Sequence, residues 1–149
     1  MTSSSDRIVN VDIAGLRYRV ASLVILAERM SAAELRELIG LEPDRSWDRG
    51  DVVGRTGRGR RQHTGWCIDA AGIGLRPEAA IAELLDRVSI VNEQFRAATA
   101  DLRVLSVILW VWPEGRECVV DLKPDHLMEI ARLGASLVID IYDNEPREE

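Results

Sequence analysis

The chain has 149 residues, 46% of them apolar and 30% charged. That is the size and balance of one globular domain able to bury a core without disulfides or metals, and it argues against disorder along the whole length. The formal net charge of −6 and a pI near 5.0 disfavour a nucleic-acid partner held by bulk attraction to its phosphates.

Residues 1–7 are expected to be a disordered tail, 8–143 a single α+β domain and 144–149 an acidic C-terminal tail. The polar start has no apolar run of signal-peptide type, and the longest apolar stretch, Leu23 to Ala27, is far too short to span a bilayer. A cytoplasmic protein with no membrane contact is expected. Cys67 and Cys118 are too few for a disulfide framework and read as small buried hydrophobes in a reducing compartment.

Ile8 to Ile13 alternates apolar and polar residues, as a short strand or extended arm does. Arg17 to Glu28 is the first strand, and its β-branched centre suits a position buried on both faces. Ser31-Ala32-Ala33-Glu34 is a capping box, and it opens a helix that buries Leu35, Leu38 and Ile39 before Gly40 ends it. Asp51 to Arg55 and His63 to Asp69 read as two short strands joined by a tip rich in arginine and glycine. Pro77 opens the longest helix, with Ile81, Leu84, Leu85, Val88, Val91 and Phe95 on one stripe. Arg103 to Trp112 and Glu117 to Leu122 form a hairpin around Pro113-Glu114-Gly115. Pro124 opens a last helix carrying Leu127, Ile130 and Ala131, Gly134 closes it, and Ser136 to Tyr142 is the final strand.

This order predicts an α+β fold. A ferredoxin-like βαββαβ core is extended by a further β-α-β, giving a mainly antiparallel sheet with helices on one face.

Leu41-Glu42-Pro43, Gly50-Asp51, Trp66, and the ending Leu133-Gly134-Ala135-Ser136-Leu137 followed by Asp140-Ile141-Tyr142 resemble a bacterial family known only as domain of unknown function 4279. The resemblance covers residues 17 to 143. It implies a compact α+β domain and brings no activity, cofactor or catalytic residue. The insert from Arg55 to Arg61 does not match the family's pattern.

No catalytic or metal-binding constellation stands out. Cys67 and His63 share one face of a strand but lie about 13 Å apart along it, too far for a thiol and its base. No zinc or EF-hand spacing is present, and no metal or cofactor is expected. Gly54-Arg55-Thr56-Gly57-Arg58-Gly59 has the glycine density of a phosphate cradle, without the Gly-Lys-Ser/Thr ending of a P-loop. Arg49 and the cluster Arg55, Arg58, Arg60 and Arg61 concentrate positive charge on an acidic chain, flanked by Trp47 and Trp66. Guanidinium groups recognise carboxylates and phosphates, and aromatic faces stack on bases or on guanidinium.

Two accounts stand side by side: a solvated hairpin tip, or a site for an anionic small molecule or an acidic protein partner. Asp140, between apolar neighbours on the last strand, is either a structural carboxylate or a polar anchor in a ligand pocket, with Tyr142 on its face. Trp110 and Trp112 would wall such a pocket if they lie on the helix-free face. The expected function is a non-enzymatic interaction or ligand-binding domain. The alternatives are an immunity-type protein that neutralises a toxin, and an enzyme acting on a small anionic substrate with Asp140 beside the arginine loop. A homodimer is expected, because a sheet with helices on one face leaves the other face and two edges to cover.

Overall fold

The computed structural model describes residues 19–54, 57, 59–72, 75–91, 93–95, 102–111 and 119–141; within 102–111 the side chains described are Ser106 and Ile108. The elements run β1 (Arg19–Ala27), α1 (Ala32–Ile39), β2 (Arg45–Trp47), β3 (Val52–Val53), β4 (Gly59–Arg60), β5 (Thr64–Ala71), α2 (Pro77–Val88), a 3-10 turn (Ser89–Val91), β6 (Leu102–Val111), α3 (Pro124–Leu133) and β7 (Ser136–Ile141). Five strands make one sheet in the order β2-β5-β1-β6-β7, and β3 and β4 form a separate two-stranded ribbon. Every pairing in the large sheet is antiparallel except β6 with β7. The α+β class with a mainly antiparallel sheet is thus present.

β1 lies at the centre, as its apolar run requires. Ala21, Leu23, Ile25 and Ala27 point to one face and meet Ala70, Ile68, Trp66 and Thr64 of β5 in register. That face is the core: it packs on Leu35 and Ile39 of α1, on Ala80, Ile81, Leu84, Leu85 and Val88 of α2, and on Ile130 and Leu133 of α3. Trp66 is fully buried, and its ring meets Phe95 edge-on at 5.6 Å between centroids. Its indole N–H donates to the Leu41 carbonyl at 3.1 Å, which satisfies the one polar atom the ring brings inside.

Local signals set the helix ends. Ser31 Oγ accepts from the Glu34 amide while Glu34 accepts from the Ser31 amide, a reciprocal cap worth about 1 kcal/mol. Gly40 and Gly134 close α1 and α3 at φ 75° and 77°, in the left-handed region where a Cβ is strained. Proline occupies the first turn of both α2 and α3.

Three expectations need correction. Asp51 to Arg55 is not a single strand: only Val52–Val53 pairs, with Gly59–Arg60, while Arg45–Trp47 is a strand whose three residues carry no periodicity. Among the described residues of the expected strand, 119–122 are not strand, and the last strand, β7, runs parallel to β6. On α3 the buried residues are Ile130 and Leu133, whereas Leu127 and Ala131 are exposed, because the helix turns a narrower stripe inward. The tail 1–7, the segment Ile8 to Ile13, and Arg55, Arg58, Trp112, Cys118 and Tyr142 lie outside the described residues, as does the Trp110 side chain.

Candidate functional site

A long bent ribbon builds the candidate site. β2 pairs with β5, and the Gly50 and Arg61 backbones then exchange bonds with Arg61 and Asp51 before β3 and β4 pair beyond them. Two carboxylates brace the bend. Asp48 accepts from the Ala32 amide at 2.7 Å, docking the ribbon on the α1 N-terminus, and Asp51 accepts from the Asp48 amide at 2.8 Å. The acidic residues nearest the arginine cluster in sequence are therefore committed to backbone donors.

The bend leaves a cavity of about 550 Å³ lined by Glu28, Arg49, Arg60, Arg61, Gln62 and His63. Three arginines, a glutamine and a histidine line it, with Glu28 the one acidic residue among them. Arg60 donates to the Gly50 carbonyl at 3.2 Å, and the Arg49 amide donates to Thr64 Oγ1 at 3.2 Å, so both anchor to the bend. Burial, and then the charge of Arg45, hold the pKa of Arg61 below the usual arginine value, with Asp51 and Cys67 opposing. The positive charge here is thus crowded as well as gathered.

Beside the cavity, on the sheet face opposite the described core helices, the Arg61 guanidinium lies over the Trp47 indole, 4.1 Å from the ring centroid. The same indole lies against Gly65, where a Cβ would overlap the ring atoms Cε2, Cζ2 and Nε1. Glycine is required at position 65 by this close approach. The Trp47 ring is therefore packed by Arg61 and by the Gly65 backbone.

Further along the same face, Arg45 clasps Asp69 with two bonds of 2.9 and 3.0 Å, and Ser22 Oγ donates to Asp69 at 2.6 Å. Arg45 also donates to Cys67 Sγ at 2.8 Å. Burial works against the Arg45 charge, but bonding to Asp69 and the charges of Cys67, Asp69 and Asp44 outweigh it and raise its pKa. Ser22 and Cys67 are fully buried beneath this clasp. On the far side Asp44 accepts from the Asp69 amide and pairs with Arg87 of α2 at 3.0 Å, tying β5 to the helix layer.

Of the residues singled out in the sequence, the fold brings Arg49, Arg60, Arg61 and Trp47 together, sets His63 beside them and adds Gln62. Trp66 is a core residue, turned away from the cavity. Asp140 stands apart. It sits on β7, three strands from β5, and pairs with Trp110 at the opposite end of β6 from Leu102. Ordinary sheet spacings put it about 14 Å across and about 26 Å along the strands from the ribbon. The strand order therefore keeps Asp140 away from the described arginines Arg49, Arg60 and Arg61. Sequence reasoning missed the clasp of Arg45, Asp69, Ser22 and Cys67, because its members lie on three strands and none is in an unusual local pattern.

A larger depression, about 690 Å³, is bordered by Arg29, Met30, Glu34, Glu37 and Leu38. Its Glu34 is held in the capping box, and its lining mixes one arginine with two acids where the other cavity gathers three arginines and a histidine, so the arginine cavity is the better candidate for an anion. Among the described residues no group of three metal-ligating side chains occurs, and no helix is long and apolar enough to cross a membrane.

A family model described as "Domain of unknown function (DUF4279)" matches residues 17–144. No curated protein and no solved structure matches the chain.

Proposed function

The chain belongs to the family of domain of unknown function DUF4279, and since that membership fixes no activity, we propose from the arginine cavity that it is a non-enzymatic domain that binds a small anionic molecule. One observation carries the reading: a protein of net charge −6 gathers Arg49, Arg60, Arg61 and His63 around one cavity with a single acidic lining residue, Glu28, while Asp48 and Asp51 bond to backbone. The volume suits a metabolite-sized ligand. Arginine forks favour phosphate or carboxylate groups, and Gln62 adds a neutral donor and acceptor. Arg55 and Arg58, adjacent in sequence, are proposed to extend the same positive surface.

Nucleic acid is disfavoured, since Trp66 is buried and the Trp47 ring already carries the Arg61 guanidinium where a base would stack. The sheet supports a ferredoxin-like reading of the core. β1-α1-β2-β5-α2-β6 runs in the order β2-β5-β1-β6 with every pair antiparallel, the arrangement of a split βαβ unit.

The test is a thermal-shift and calorimetric screen of inorganic phosphate, citrate and nucleotides against wild type and an Arg49→Ser, Arg60→Ser, Arg61→Ser variant. Binding to the native state alone raises the melting temperature. The expected result is a salt-sensitive rise in wild type that the variant loses while it stays folded. A variant that keeps full affinity places the binding site elsewhere.

A further inference from the structure

The two edges of the large sheet differ. β2 is three residues long, and its Arg45 and Trp47 are held by Asp69 and Arg61. β7 is six residues long, Ser-Leu-Val-Ile-Asp-Ile, and among the described residues pairs only with β6. It carries no lysine, proline or bulge of the kind that blunts an edge, and its one charge is Asp140. Val138, Ile139 and Ile141 are 41, 48 and 68% exposed, and Leu127 and Met128 of the preceding helix are 45 and 50% exposed. A flat apolar edge beside an apolar helix flank calls for a partner strand.

We infer that this partner is a second copy of the chain, joined by antiparallel pairing of β7 with β7 across a two-fold axis at Val138. The strand's own pattern selects that occupant and that register. A two-fold perpendicular to the sheet keeps the helices of both copies on one side, so only registers that place a residue opposite its own copy are allowed. Centring on Asp140 sets two carboxylates face to face, and centring on Ile139 sets Asp140 against Val138. Centring on Val138 places Ser136 opposite Asp140 of the partner subunit, a hydroxyl donor against a carboxylate acceptor, twice. It also places Leu137 opposite Ile139 of the partner subunit and Val138 opposite its own copy. Directly opposed side chains are the stabilising unit of a sheet, so this register satisfies both its polar and its apolar positions. The product is a continuous ten-stranded sheet, with the α3 flanks brought toward each other over it. Because β7 lies at the far edge from the arginine cavity, the dimer leaves both cavities open.

The experiment is sedimentation equilibrium on wild type, Val138→Lys and Val138→Glu, and on an equimolar mixture of the two variants. Val138 is partly exposed, so the variants should fold, which circular dichroism checks. Wild type is expected to be dimeric at high micromolar concentration. Each variant alone should be monomeric, because like charges meet at the axis, and the mixture should restore a heterodimer. Val138→Cys should in addition cross-link under mild oxidation, since directly opposed residues lie within about 5.5 Å between Cα atoms. A monomeric wild type overturns the inference. So does a dimer that survives both charged variants, or a mixture that stays monomeric, as it would if β7 served a strand of a different protein.

Discussion

Replacing Gly65 with alanine isolates the packing that holds the basic cavity's wall. The new Cβ would overlap the Trp47 indole, so the ring must leave its seat. β2 is a three-residue edge strand and Trp47 is only half-buried, so the indole can swing away without breaking the sheet. Displacement costs about 1–3 kcal/mol as overpacking and forfeits the Arg61 stack, worth about 0.5–1 kcal/mol at an exposed site. Against this, alanine is favoured over glycine in a strand by about 0.5–1 kcal/mol. The net expectation is a loss of roughly 1–3 kcal/mol. With Trp47→Ala already present the overlap is gone, and Gly65→Ala should become neutral or stabilising by about 0.5 kcal/mol. Urea denaturation of the four proteins completes the double-mutant cycle, with an expected coupling of about 2 kcal/mol. Equal costs in both backgrounds would refute the indole-on-glycine contact.

Trp66→Ala should destabilise by about 3–5 kcal/mol, as for other buried aromatics, and also leaves the Leu41 carbonyl without its donor. Chemical denaturation checks this, and a variant as stable as wild type would mean the ring is not core. Asp69→Ala strips Arg45 and the buried Ser22 of a shared acceptor. Because the Arg45 side chain is 36% exposed, the cost is set below that of a fully buried pair, at roughly 2–4 kcal/mol; an unchanged urea midpoint would count against the clasp. Glu78 has its pKa lowered, first by the bond it accepts from the Asp121 amide and then by its own amide, with burial opposing and Arg76 adding. A carboxyl depressed in the folded state stabilises above its unfolded pKa and loses that contribution as pH falls through the lower folded value. Glu78→Gln should therefore melt below wild type at neutral pH, and the gap should close in acid. A gap that persists at the acid end would contradict the assignment.

The sequence alone determined the features that depend on neighbours along the chain. Ser31 and Glu34 form a cap three residues apart, Gly40 and Gly134 end helices by their own backbone freedom, and Pro77 and Pro124 begin them. The buried stripe of α2 and the central place of β1 follow from periodicity and from an unbroken apolar run, because each residue's environment repeats with the geometry of its own element. Tertiary structure alone decided what depends on residues far apart in sequence. The Arg45–Trp47 strand has no pattern and exists because β5 offers it backbone partners. The seat of Trp47 on Gly65 lies between residues 18 positions apart, and the Asp69 clasp draws on β1, β2 and β5 at once. Asp140 and the arginines both read as candidate anchors in the sequence. Strand order then set one at each end of the sheet, because hydrogen-bond pairing, unlike propensity, fixes which segments become neighbours.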